Sequence, residues 1–216
     1  MTAAPVLILN PLAASRPTAQ RRPMSDRKLA AEATPDAVSE LVGQARRGDR
    51  EAFGDLVRQF ERRIFNYVCQ FTINAHDAED VTQDTFVKAW RSIARFESTG
   101  SFSSWLYTIA KRTALNHLRS RKHESGAEVP DQIDTATPAH ACEAGEERDS
   151  IWSLARKLKP TQYEALWLRY GEDFSIEETA RIMRTNQIRV RVLLHRGRAQ
   201  LARLLEQRAS HEHHSA

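Results

Sequence analysis

The sequence predicts an all-α protein made of two small helical domains joined by a flexible acidic linker. Three observations carry that expectation. Apolar residues recur three and four positions apart through most of the chain beyond residue 36, no run alternates long enough to make a strand, and charge is sorted into blocks. The sharpest block is residues 123–149, where Glu124, Glu128, Asp131, Asp134, Glu143, Glu146, Glu147 and Asp149 face a single base, Arg148. Gly, Pro, Ser and Thr lie between these acids with no apolar stripe, as in a solvated connector. With 216 residues, 41% of them hydrophobic, the chain can bury a core on each side of that connector.

Residues 1–35 hold five prolines (Pro5, Pro11, Pro17, Pro23, Pro35) and no apolar period, so a disordered N-terminal extension is expected, with Met24 as an alternative start. The first domain spans 36–122. It opens with a stripe of Val38, Leu41, Val42 and Ala45 that Gly48 ends. Asp49 then offers an N-cap for a long helix carrying Phe53, Leu56, Val57, Phe60, Ile64, Phe65, Val68 and Phe71. Asp77 is the next expected N-cap, with Glu79 and Asp80 in the first turn, where the helix dipole favours acids. After a break at residues 96–100, a helix from Ser103 bears Trp105, Leu106, Ile109, Ala110 and Thr113, and ends in Arg119, Arg121 and Lys122.

The second domain spans 150–208. A short helix over 151–158 leads to one over 160–170, with Pro160 near its first position and Gly171 at its stop. Ser175-Ile176-Glu177-Glu178 reads as a capping box for a third helix ending near Met183. The fourth, from Asn186 to Arg208, carries Arg189, Arg191, Arg196, Arg198, Arg203 and Arg208, leaving Val190, Leu194, Leu201 and Leu204 or Leu205 for the core. A short helix, a tight turn and a longer basic helix form a helix-turn-helix pattern. Residues 209–216 are expected to trail as a disordered His-containing tail.

Composition excludes several function classes. No apolar run approaches the roughly 18 residues of a membrane span, so no membrane insertion is expected. Cys69 and Cys142 form no CxxC pair, which argues against a disulfide framework and for a cytoplasmic setting. The acids at 77, 79, 80 and 84 lack a second cluster of His, Cys or acids at ligand spacing. No phosphate loop, nucleophile elbow or zinc pattern is present, so no metal, cofactor or catalytic residue is expected and the chain is not read as an enzyme. Two positive signals remain. Phe96, Phe102, Trp105 and Tyr107 lie beside Lys111, Arg112 and Arg119, residue types that together stack unpaired bases and hold a backbone. Aromatics at helical spacing are more often core; Trp105 is assigned partly there, and Phe102 and Tyr107 are expected to be exposed. The arginine-rich last helix is the second signal, since a recognition helix packs one face and offers donors to DNA on the other.

AFGDLVRQFERRIFNYV, DAEDVTQDTFVKAW and GSFSSWLYTIAKRTALNHLR resemble region two of bacterial sigma-70 family sigma factors, and LKPTQYEALWLRYGEDFSIEETARIM with LLHRGRAQLARLL resembles region four. The chain is similar to the small extracytoplasmic-function (ECF) group, over about residues 38–122 and 150–206. That resemblance implies a region 2 helical bundle and a region 4 helix-turn-helix. It implies binding to core RNA polymerase, with Asp80, Gln83, Asp84, Phe86 and Trp90 on the β′ clamp helices and region four reaching the β flap. It implies −10 DNA binding and melting by Phe96, Phe102, Tyr107, Lys111, Arg112, Asn116 and Arg119. The −35 element would be read by Asn186, Gln187, Arg189, Arg191, His195, Arg196 and Arg198, with the acidic linker threading toward the RNA path. Promoter DNA and an anti-sigma factor are the further partners it implies.

The chain departs from the family pattern at identifiable places. Arg184 stands where Gly is common in the helix-turn-helix turn, Thr185 replaces an apolar residue, and Arg189-Val190-Arg191-Val192-Leu193 replaces Thr-Val-Lys-Ser-Arg. Arg112 stands for a usual Asn and Asn116 for a usual Asp. Promoter preference is therefore not inherited from relatives. Two other classes stay open on the residues alone: a stand-alone DNA-binding regulator, which has no need of the Asp80–Trp90 face, and a metal or redox sensor using the cysteines and the histidine tail.

Overall fold

Asp49 does what its position demands: its carboxylate accepts from the backbone N–H groups of Glu51 and Ala52 at 2.9 and 3.1 Å, and a long helix starts behind it. The computed structural model describes residues 35–97, 100–124 and 151–214. Eight α-helices and no strand occur among them: α1 (Pro35–Arg46), α2 (Arg50–Val68), α3 (Ala75–Ser92), α4 (Phe102–Glu124), α5 (Ile151–Ala155), α6 (Pro160–Leu166), α7 (Ile176–Met183) and α8 (Gln187–His214). The expected N-terminal extension and most of the acidic linker lie outside the described residues. Two helices run on past their expected ends, while the one expected over 151–158 stops at Ala155. The backbone of α4 continues through 124, and that of α8 through 214, into what was expected to be a disordered tail.

Helices α1 and α2 form a hairpin. Gly48 turns the chain at φ 96, a backbone region closed to most side chains. Ala52, Phe53, Leu56, Phe60, Ile64, Tyr67 and Val68 make the buried face of α2, three and four apart as one side of a helix requires. Helix α3 buries Ala78, Val81, Thr82, Thr85, Phe86 and Ala89. Its two buried threonines return their hydroxyls to the carbonyls of Ala78 and Val81, each at 2.7 Å, so no donor is left orphaned. The N-cap of α3 is Asn74, not Asp77: the Asn74 side chain accepts from the Asp77 N–H at 2.7 Å. Both residue types cap well, and sequence alone does not choose between candidates one turn apart. Asp77 instead ties α3 to α4 through Arg121, with His117 Nε2 3.6 Å away.

Beyond the connector, α5 to α8 enclose a second core of Ala155, Leu158, Tyr163, Ala165, Leu166, Ala180, Val190 and Leu194. The helix expected over 160–170 changes character halfway. From Trp167 to Gly171 it widens into a π turn, closed by the Glu172 N–H on the Trp167 carbonyl at 3.0 Å. Leu168, Phe174 and Ile182 join the core built by α1 to α4, so the two helical sets pack on each other.

The cysteine expectation is corrected. Cys69, 9% exposed at the end of α2, is disulfide-bonded rather than a free thiol. Cys142, the only other cysteine of the chain, lies outside the described residues. A lone cysteine within a helical stretch carries no spacing signal for such a bond.

Candidate polymerase and nucleic-acid interfaces

On α3, Asp80, Gln83 and Asp84 are exposed. Their spacing places them on one face with Val87, 46% exposed, and Arg91. Asp84 stands 3.8 Å from Lys88 Nζ and Asp80 the same distance from His76 Nε2, both loose surface pairs that leave the acids reachable. Phe86 and Trp90 do not share that face. Phe86 is buried, and Trp90 is half-buried with its ring 5.0 Å from that of Phe53. They shape the helix from behind, while Val87, absent from the sequence expectation, supplies the apolar part of the exposed face.

The aromatic block is core, contrary to the expected exposure of Phe102 and Tyr107. Phe96 and Phe102 are 6% exposed, and Tyr107 is fully buried. Ring centroids of Phe96, Phe102 and Trp105 lie 5.1 to 5.9 Å apart, and Phe60 closes on Phe102 at 5.5 Å. These rings satisfy one another in edge and tilted contacts. Arg112, Asn116 and Arg119 are exposed, aligned along α4 at helical spacing.

Lys111 is also inside, and its partner comes from the other helical set. Its ammonium donates to both Glu164 oxygens, at 2.7 and 2.9 Å, and the Tyr67 hydroxyl donates to the same carboxylate at 2.8 Å. The two charged side chains are 10% and 6% exposed. Beside them, Arg63 Nε and Nη2 reach Glu172 at 2.9 and 2.7 Å. The Tyr107 ring packs 5.0 Å from Phe174. Burial, followed by the Glu164 carboxylate, pushes the Tyr67 hydroxyl well above its ordinary range. Burial with Glu172 does the same to Tyr107, against the opposing pull of Arg63. Farther out Ser101 donates to Glu178; burial alone would raise that carboxyl, but bonds from Ser101 and Ser175 hold it below its ordinary value. Buried pairs of this kind add little net stability, but they penalise any register that leaves one charge alone.

The helix-turn-helix forms as expected. The Ser175 hydroxyl accepts from the Glu178 N–H at 3.1 Å and the Glu178 carboxylate accepts from the Ser175 N–H at 2.9 Å, completing the capping box. Arg184 takes the left-handed conformation, φ 54 and ψ 48, at the end of α7; Thr185 N–H then bonds to the Ala180 carbonyl at 2.9 Å. A non-Gly residue accepts that strain where such closure repays it. The Asn186 side chain accepts from the Arg189 N–H at 2.8 Å and starts α8. Gln187, Arg189, Arg191, His195, Arg196 and Arg198 are all exposed. Val190 and Leu194 are buried, and at Gly197 an added Cβ would stand 3.1 Å from Leu166, so α8 lies close on α6.

Comparison with known proteins decides the family. Residues 56–124 match the model for sigma-70 region 2, and 148–201 that for sigma-70 region 4. The ECF RNA polymerase sigma factor BldN of Streptomyces coelicolor is 32% identical over 188 residues, covering 83% of this chain and 70% of BldN. The chain belongs to the ECF group of the sigma-70 family. The RNA polymerase sigma-H factor of Pseudomonas aeruginosa is 31% identical, covering 80% of this chain and 96% of that factor. Among solved structures, CnrH in complex with the cytosolic domain of CnrY superimposes with a TM-score of 0.57 at 27% identity, over 80% of this chain and 99% of that one. The sigma factor RpoE of Bartonella quintana, solved with the anti-sigma factor NepR, gives 0.56 at 23% identity over 71% of this chain and 96% of that one, a likeness of fold.

A sigma factor of this group directs RNA polymerase in transcription initiation. Its exposed acids on α3, basic line on α4 and arginine-rich α8 are therefore distinct surfaces on one protein. Sequence reading did not find the pairs Lys111–Glu164 and Arg63–Glu172, whose partners lie 53 and 109 positions apart. Nor did it single out Ile188, 72% exposed, or Val192, 41% exposed, on α8. The available signal was an apolar residue standing among arginines on the face opposite the core.

Proposed function

We propose that this sigma factor binds core RNA polymerase through the exposed face of α3, reads a −35 element with α8, and handles the −10 element with α4. Asp80, Gln83, Asp84 and Val87 form the polymerase-docking surface toward the β′ clamp helices, and the region 4 helices approach the β flap. Arg112, Asn116 and Arg119 hold −10 DNA, while Phe96, Phe102, Tyr107 and Lys111 serve as the scaffold beneath them. Asn186, Gln187, Arg189, Arg191, His195, Arg196 and Arg198 meet the −35 duplex. Catalysis belongs to the polymerase, and the factor works in the bacterial cytoplasm, where its template is.

The observation that carries this reading is the coexistence of an exposed acidic face on α3 with an exposed arginine-rich face on α8. A regulator acting alone needs only the second. An anti-sigma partner is part of the proposal, because CnrH, whose structure matches over 80% of this chain, was solved in complex with the cytosolic domain of CnrY. The five regions 1–35, 36–122, 123–149, 150–208 and 209–216 have the proposed roles of extension, region 2 domain, linker, region 4 domain and tail, with α4 crossing the 122/123 boundary and α8 the 208/209 boundary.

Pull-down separates the readings. Tagged full-length chain should retain core polymerase, and an Asp80→Arg/Asp84→Arg variant with an unchanged circular dichroism spectrum should lose at least ten-fold in retention. Specific operator binding without polymerase retention would favour a stand-alone regulator.

A further inference from the structure

The outward face of α8 is not uniformly basic. At about 100° per residue, positions 188, 192, 195 and 199 run along one ridge, opposite Val190, Leu194 and Gly197, which face the core. Ile188 and Val192 are the apolar members of that ridge near its N-terminal end, 72% and 41% exposed. Ile188 is the most exposed of the large hydrophobic residues described. The arginines avoid the ridge and flank it. Arg189, Arg196 and Arg203 follow one another seven apart on one side; Arg191 and Arg198 do the same on the other. Arg198 is steadied by a 3.3 Å bond to the Tyr170 hydroxyl. The first acid along the helix is Glu206, which at 1.5 Å per residue lies about 27 Å from Ile188.

This pattern has a specific chemical complement. Two rows of guanidinium groups on either side of one helix match the two phosphate backbones that border a major groove. A ridge between them meets the groove floor, and the N-terminal residues of a recognition helix are those that reach base edges. Apolar side chains there have one apolar feature to contact, the C5 methyl of thymine. Exposing Ile and Val to water on a helix otherwise ending in charge has no packing benefit; covering them with methyl groups does.

We infer that Ile188 and Val192 read thymine methyl groups in the −35 element, the two arginine rows gripping the phosphates on either side. The inference rests on the −35 role proposed above and deepens it by assigning base discrimination to side chains that are not basic. The −35 element of this factor then contains thymine at the positions nearest the start of α8.

The test uses the full chain with core polymerase. A promoter with a randomised −35 element is selected by in vitro transcription, and each thymine of the winning element is replaced in turn by deoxyuridine, which removes only the methyl group. Initiation should fall about 3- to 5-fold at one or two of these positions. An Ile188→Ala/Val192→Ala variant should initiate equally on thymine and uracil there, with unchanged melting temperature because both side chains are exposed. Three results overturn the inference: a selected element lacking thymine, indifference of the wild type to uracil at every position, or discrimination retained by the variant. Absence of any −35 preference in the wild type is a different failure, since it removes the promoter-reading role of α8 itself.

Discussion

Glu164 is the residue on which contact between the two helical sets is most exposed to perturbation. Its carboxylate, with a side chain 6% exposed, accepts two bonds from Lys111 and one from the Tyr67 hydroxyl. Glu164→Gln keeps the shape but leaves a buried ammonium without its counter-charge. Breaking a buried pair in this way costs about 3–5 kcal/mol. Lys111→Met, which leaves the carboxylate with only the phenol, falls in the same range. The double variant Lys111→Met/Glu164→Leu removes both charges and strands only the Tyr67 hydroxyl, a cost of about 1–3 kcal/mol. It should therefore be more stable than either single variant, the reverse of additive damage. Urea unfolding measures the three free energies, and small-angle scattering shows whether the single variants relieve the stranded charge by letting the helical sets part. Single variants within about 0.5 kcal/mol of wild type, with an unchanged radius of gyration, would refute the claim that this pair closes the two sets on each other.

Three further predictions follow from the same geometry. Phe102→Ala should lower stability by about 3–5 kcal/mol, the usual cost of emptying an aromatic core site, as read by thermal unfolding; a DNA-stacking Phe102 would leave stability unchanged. Arg112→Ala should leave thermal stability unchanged and reduce promoter opening several-fold in permanganate reactivity, since its side chain is exposed on α4. Tyr67 and Tyr107 are held neutral in the fold, so their contribution to stability is fully present below the ordinary tyrosine value of 10.0 and is lost as pH rises above it. Denaturation midpoints should fall with alkaline pH, and Tyr67→Phe should flatten that slope.

How much of this was legible in the sequence depends on the range of the interaction. Asp49, Ser175 and Glu178 act within three residues of themselves, and their caps were readable from residue type and spacing. The choice between Asn74 and Asp77 was not, because local chemistry fits both. The aromatic block shows the other limit. Phe96, Phe102 and Tyr107 look the same in sequence whether they stack on bases or on one another, and only the approach of Phe60, Tyr67 and Phe174 from distant segments decides it. Lys111 illustrates this most clearly, since a lysine beside aromatics reads as a DNA contact until Glu164 is found against it. The arginine-rich helix was visible, yet the ridge of Ile188 and Val192 emerges only once the core face of α8 is fixed by Val190, Leu194 and Gly197.

The measurement that tests the account most directly is in vitro transcription by core polymerase over a genomic fragment library, with and without the full chain. Initiation should become factor-dependent at a discrete set of promoters sharing two spaced elements, and be abolished by Asp80→Arg/Asp84→Arg and by Arg189→Ala/Arg196→Ala. Transcripts whose start sites are the same with and without the chain, while the chain alone protects specific duplex sites, would contradict it.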